Sequence, residues 1–237
     1  MRLPKLLLGP RSFHRGIRTH PFLNVSQYFE YARSKQLKTN STVFNGTSFE
    51  LASMAQLTAS LNGIELHHVG GTNDNGIDLS GKWNVSPNKT NTPVPSSETI
   101  NDDVVIPILN QQNPELNVLV QCKNYSTKIT AKEIRELPGI FHAEFNSINS
   151  KNSIMLFCAP NVLTKNGIQQ VLSSNIPIGY CQISKMTQVR KGDLYDVGNY
   201  KGGELVGFLP NAHLLALLSG TSCIDDVLKI VDRNNAD

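Results

Sequence analysis

Asp78, in the run Gly76-Ile77-Asp78-Leu79, and Gln121-Cys122-Lys123, at the end of an apolar run, are the residues whose types could do chemistry together. Two short strands lying side by side would gather a carboxylate, an amide and an amine at one edge of a sheet. That is the minimum set for metal-assisted phosphodiester cleavage, which must hold a cation against a phosphate oxygen, offset charge and deliver water. Mg²⁺, or Mn²⁺ in its place, takes oxygen ligands and keeps several waters, so few protein oxygens suffice. The expected ligands are the Asp78 carboxylate, the Gln121 amide carbonyl and the Cys122 backbone carbonyl. Lys123 falls on the face of Gln121 by the two-residue repeat of a strand, where its ammonium would orient water or offset charge. Glu50, on the helix before the first strand, would return the negative charge that Gln121 lacks in the place of a second acid. The expected catalytic set is thus Glu50, Asp78, Gln121 and Lys123. Each has a plainer reading: Glu50 closes a capping box with Thr47, Asp78 caps a glycine-rich turn, and Gln121 with Lys123 forms an exposed strand edge.

A helix capped by Thr47, with Glu50 completing the box, carries Phe49, Ala52, Ala55, Leu57 and Leu61 and stops at Asn62-Gly63. Before it, Val25, Tyr28, Phe29 and Ala32 stand at helical spacing between Asn24 and Gln36. Ile64, Leu66 and His68 alternate with polar neighbours as in a half-buried strand, residues 70–76 form a turn, and Ile77-Asp78-Leu79-Ser80 returns. From Asn84 to Pro114, five prolines among Asn, Ser and Thr predict a flexible insertion in a hairpin or a disordered loop. Leu116 to Cys122 reads as a central strand. Thr130 and Glu133 open a helix with Ile134, Leu137 and Ile140 on one side, which Pro138 should end or kink. A strand over Ser153 to Ala159, a helix from Thr164 to Ser173 and a strand over Ile176 to Ile183 follow. This late alternation indicates an α/β fold with parallel crossovers. Two helical patterns, Pro210 to Leu218 and Ser222 to Val231, close the chain without an evident role.

The chain has 237 residues, 39% hydrophobic and 17% charged, which fits one globular domain with appendages. Cys122, Cys158, Cys181 and Cys223 are separated by 36, 23 and 42 positions, a spacing that favours buried free thiols over a zinc site or a disulfide scaffold. No apolar stretch approaches the ~20 residues of a membrane span. The first 23 residues contain Arg2, Lys5, Arg11, Arg15 and Arg18, a Leu6-Leu7-Leu8 run and no acid before Glu30. That is the composition of a mitochondrial presequence. Its removal turns the formal charge of +3 into a slight negative excess, since 22 basic residues lose five against 19 acids. Any nucleic-acid affinity of the remainder must come from a local patch.

Gly70-Gly71-Thr72-Asn73-Asp74-Asn75-Gly76-Ile77-Asp78-Leu79, Val120-Gln121-Cys122-Lys123-Asn124-Tyr125 and Ile134-Arg135-Glu136-Leu137-Pro138-Gly139 together resemble the Mrr-type branch of the PD-(D/E)XK restriction-endonuclease-like superfamily. The resemblance runs from about Thr47, through Leu163-Thr164-Lys165-Asn166-Gly167, to Ile183. It implies an αβββαβ core with a mixed sheet flanked by helices. It also implies metal binding by Asp78 and Gln121, catalysis by Lys123 and assistance by Glu50. With the basic leader and the Pro/Asn-rich insertion, the whole is similar to the fungal mitochondrial required-for-respiratory-growth proteins. The expected layout is a presequence over 1–23, a helix and linker over 24–46, a restriction-endonuclease-like domain over 47–183 with its insertion at 84–114, and an extension over 184–237.

His67 and His68 face opposite ways if they lie in a strand, which argues against joint metal ligation. Lys128, Lys132 and Arg135 follow the catalytic strand, and Lys185, Arg190 and Lys191 follow the last one. These six would contact phosphates, although Glu133 and Glu136 interrupt the first group and a solvated helix face accounts for it equally well. The leading expectation is a Mg²⁺-dependent endonuclease of the mitochondrial matrix acting on DNA, in genome maintenance or expression, with RNA as the other polymer. The competing one is a nuclease fold kept as a DNA-binding or assembly module after losing catalysis.

Overall fold

Two runs without a polar face form the middle of the sheet. In the computed structural model, which describes residues 22–69, 76–88, 93–112, 114–145 and 149–234, β5 (Glu115–Cys122) and β6 (Ser153–Ala159) pair in parallel. Every residue of β6 is buried, as a strand covered on both faces requires. β7 (Ile178–Ile183) continues the parallel part beyond β6. On the other side, β1 (Ile64–His68) and β2 (Leu79–Asn84) form an antiparallel pair, with β2 antiparallel to β5. β8 (Thr187–Gln188) and β9 (Tyr200–Lys201) pair as a separate two-stranded ribbon, and the far edge of the large sheet is β10 (Leu205–Pro210), antiparallel to β7, so the order is β1-β2-β5-β6-β7-β10. The expected presequence, apart from Phe22 and Leu23, and the turn at 70–75 lie outside the described residues.

Helices cover both faces. α1 (Val25–Ser34) is capped by Asn24, and α2 (Thr42–Ser60) is capped by Ser41, which accepts from the Phe44 N–H. α2 therefore starts five residues before the expected Thr47. Phe44, Ser48 and Leu51 continue its buried stripe toward the N-terminus, so packing extends the helix past Thr47. The expected Thr47–Glu50 capping box does not exist, because both residues are interior to the helix. α2 packs with the sheet residues Leu66, Leu79, Trp83, Val118, Val120, Ile154, Leu156 and Ile183 in one core.

The second core lies on the opposite face, beneath α3 (Ala131–Glu144) and α4 (Lys165–Leu172), and joins Ile134, Leu137, Phe141 and Val171 to Leu119, Met155, Phe157 and Tyr180. α3 begins with the expected capping box, Thr130 with Glu133, and runs through Pro138 without ending there. Ile134 and Leu137 before the proline and Phe141 after it are all buried, so burial on both sides outweighs the hydrogen bond that proline cannot donate.

The stretch expected as a flexible insertion carries a small hairpin. β3 (Glu98–Ile100) and β4 (Asp103–Val105) are joined by Asn101 and Asp102 at φ 49° and 69°, the positive values a two-residue hairpin turn demands. It contacts α5 (Ala212–Leu217), and Ile108 beyond it is fully buried. α6 (Ser222–Asn234) packs along β10, so both unassigned helical patterns of the tail help cover the sheet. No helix among the described residues is long and apolar enough to cross a membrane.

Candidate active site

Asp78 stands one residue before β2, where it ties three segments together. Its N–H donates to the Val120 carbonyl at 2.9 Å, and its carbonyl accepts from the Val69 N–H at 2.8 Å. Its carboxylate accepts from the Cys122 N–H at 2.7 Å, so a side-chain oxygen extends the β2–β5 ladder beyond its last pair, Leu79 opposite Val120. Asp78 is only 9% exposed, and an anionic acceptor makes such a buried bond short and strong. The observed bond of this carboxyl group runs across to β5 and ties the two strands together at this end.

Glu50 reaches the same end of the sheet from α2. Released from any capping role, its Oε2 lies 2.7 Å from Nε2 of His68, the last residue of β1. The β1 burial pattern alternates, with His68 facing the α2 core and His67 exposed, as the strand reading requires. The sequence reading missed this pairing; the signal was the alternation itself, which puts His68 on the core side with Ile64 and Leu66. The Cys122 thiol is pushed well up, by burial first, then by its neighbour Cys158 and by the Asp78 and Glu50 carboxylates. The thiol therefore stays protonated at this end of the sheet.

Gln121 comes from the other face. Val118, Val120 and Cys122 lie in the α2 core and Leu119 in the α3 core, so the alternation of β5 sends Gln121 toward α3. A Cβ on Gly76 would stand 2.8 Å from Gln121 Nε2 and 3.1 Å from Ile140 Cδ1. The amide is thus packed under a glycine at φ +82°, and Gln121 is 3% exposed. Glu50 and Gln121 approach from opposite faces, with Asp78 and the Cys122 backbone joining β2 to β5 at that end. Lys123 follows, half-exposed, its N–H donating to the Cys158 carbonyl at 2.8 Å.

Carboxylate, amide and backbone oxygens suit a hard cation such as Mg²⁺. Among the described residues no three His, Cys, Asp or Glu side chains converge as a cage. An ion held here would use the Asp78 carboxylate, with Glu50, Gln121 or the Cys122 carbonyl, and complete its shell with water and phosphate, the habit of Mg²⁺.

The basic residues fall into two places, all six exposed. Lys128 and Lys132 flank the point where Thr164 N–H donates to the Ile129 carbonyl, so the loops leaving β5 and β6 form one surface; Arg135 lies one turn further along α3. Asn161 fastens this surface by donating to the Tyr125 and Thr127 carbonyls. The segment bearing Lys185, Arg190 and Lys191 reaches the flank of the site through Met186 and Tyr200. Those two line a small cavity with Asn45, Ser48, Asn124 and three phenylalanines.

The family model described as "Required for respiratory growth protein 7" matches residues 41–218. Among similar proteins, "Required for respiratory growth protein 7, mitochondrial" of Vanderwaltozyma polyspora is 32% identical over 231 residues, covering 90% of this chain and 90% of that protein. Its namesake in Candida glabrata is 31% identical over 233 residues, covering 89% and 88%, and that of Eremothecium gossypii is 33% identical over 204, covering 81% and 82%. No solved structure matches the chain. The matched span opens at Ser41, the cap of α2, and closes at Leu218, the cap of α5, enclosing Glu50, His68, Asp78, Gln121 and Lys123. The chain therefore belongs to the Required for respiratory growth protein 7 family.

Proposed function

We propose that this protein is a divalent-cation-dependent nuclease of the PD-(D/E)XK, Mrr-type kind, working in the mitochondrial matrix on DNA that respiration depends on. The observation that supports this reading above the rest is the Asp78 carboxylate seated on the Cys122 N–H, with Glu50 at the same end of the sheet on His68, the strand partner of Leu79. A structural cap needs one carboxylate, whereas two at one end of the sheet, with a half-exposed lysine after β5, suit a cation and a phosphate. The names of these relatives, mitochondrial and required for respiratory growth, support a mitochondrial setting and a part in respiration.

Asp78 would hold Mg²⁺ or Mn²⁺ with the Cys122 carbonyl and one further oxygen, from the Gln121 amide on one face or Glu50 on the other, and the ion would serve to polarise the phosphate and acidify a water. Lys123 would set its ammonium against the phosphate oxygens and orient the attacking water. Lys128, Lys132, Arg135, Lys185, Arg190 and Lys191 would contact the backbone of the polymer on either side. The test is incubation of the full chain with plasmid, branched and single-stranded DNA, and with RNA, in Mg²⁺ or Mn²⁺, alongside Asp78→Asn and Lys123→Ala. Divalent-dependent cutting abolished by both substitutions is expected. Cutting that survives them, or no cutting of any polymer, refutes the catalytic assignment.

A specific observation favours a second reading, a nuclease fold serving only to bind or assemble: the amide that replaces an acid is buried under Gly76 on the far face from Glu50. On that reading DNA binding and respiratory growth survive Asp78→Asn. Loss of growth at normal protein level excludes it.

A further inference from the structure

We propose that His68 is a positioning residue for Glu50, fixing which carboxylate oxygen the site can use. This rests on the reading of the site as a cation centre, and it goes beyond it by assigning a residue outside the strand-and-helix set.

Three observations carry it. First, the contact is short and dry: His68 Nε2 lies 2.7 Å from Glu50 Oε2, with the imidazole 1% and the carboxyl side chain 19% exposed. A carboxylate is acceptor-only, so the ring proton sits on Nε2 and donates to Oε2. Second, the other oxygen is accounted for. Glu50 Oε1 lies 3.8 Å from the place a Cβ on Gly46 would occupy, one helical turn before Glu50. Gly46, with no side chain, leaves that flank of Oε1 without a neighbouring Cβ. Third, His68 is rigidly placed. It ends β1 opposite Leu79, the residue after Asp78, and Val69 N–H is bonded to the Asp78 carbonyl at 2.8 Å. The strand that orients Asp78 therefore also holds the donor that orients Glu50.

The consequence is a division of labour within one carboxylate. Oε2 is fastened to the core by the imidazole, and Oε1 lies toward Gly46. A glutamate has three side-chain torsions, and without the clamp it would sweep several rotamers. The buried ring itself is shut off from substrate, so it acts through Glu50. Partners that orient a ligating group in this way are worth ~10–100-fold in metal affinity.

The test compares wild type with His68→Gln, which keeps an N–H donor at similar reach, and His68→Phe, which keeps bulk and loses the donor. Mn²⁺ affinity of the full chain is measured by calorimetry, and the Glu50 carboxyl ¹³C resonance at one fixed pH is followed without metal. His68→Phe should weaken Mn²⁺ at least ~10-fold and shift the Glu50 resonance, while His68→Gln stays within ~3-fold of wild type. In the Glu50→Gln background the His68→Phe effect should vanish, which a merely structural histidine would not do. Unchanged affinity in folded His68→Phe overturns the proposal, as does a Glu50 resonance indifferent to both variants. If wild type binds no Mn²⁺ but the resonance moves in His68→Phe and returns in His68→Gln, positioning stands and the cation reading falls. Should His68→Phe fail to fold, His68→Asn, with a shorter donor, takes its place with the same expected loss.

Discussion

Asp78→Ala and Asp78→Asn should separate what this carboxylate does for the fold from what it does for the site. In the wild type the Cys122 N–H donates to Asp78 Oδ2 at 2.7 Å, and Asp78 and Cys122 are 9% and 8% exposed. Alanine leaves that donor in a place water barely reaches, at a cost of ~1–3 kcal/mol. Asparagine keeps a carbonyl oxygen at the same reach and loses only the charge, retaining roughly half the bond. The alanine variant should therefore be less stable than the asparagine variant by about 1 kcal/mol, a Tm lower by about 2–4 °C in a domain of this size. The asparagine variant should stay within about 1 kcal/mol of wild type. Thermal and urea unfolding measure both differences, and amide exchange at Cys122 should rise only in Asp78→Ala. Both variants should lose Mn²⁺ binding alike, since both remove the anionic oxygen. Equal stability of the two variants would refute the reasoning, because the side chain would then not be holding β5.

Gly76→Ala should cost ~1–2 kcal/mol for an L side chain at φ +82°, and more because the new Cβ meets Gln121 Nε2; adding Gln121→Ser should recover the second part, seen as a non-additive Tm. Asn211→Ala should lose at least ~3 kcal/mol in urea unfolding, because this fully buried side chain accepts from Ile178 and Leu214 and donates to Ser174 and Ile176. Thr130 holds the Glu133 carboxyl below its ordinary 4.5, so its stabilising effect is present above that value and lost as pH falls through the lowered one. Glu133→Gln should therefore be less stable than wild type at neutral pH, with the two unfolding curves converging in acid.

Local chemistry determined much of this protein before any packing is considered. Continuous apolar runs made β5 and β6 central, since a strand with no polar face must be covered on both sides. The Thr130–Glu133 pair marked the start of α3, because the residues that satisfy a helix end lie within four positions of one another. Asp78 and Gln121-Cys122-Lys123 were legible as the ends of neighbouring strands for the same reason. What only the tertiary structure decided depends on segments far apart in the chain. Ser41, not Thr47, caps α2 because Phe44 has a core to enter, and this leaves the Glu50 carboxylate to meet His68 rather than a helix end. α3 passes through Pro138 because the sheet rewards the residues on both sides of it. β10 becomes a strand because β7 offers it an open edge. The pairing of Glu50 with His68, and the burial of Gln121 against Gly76 on the opposite face, arise where a helix, a hairpin and a crossover strand meet. Residue spacing places side chains on a face of their own element, and only the packing of elements brings those faces together.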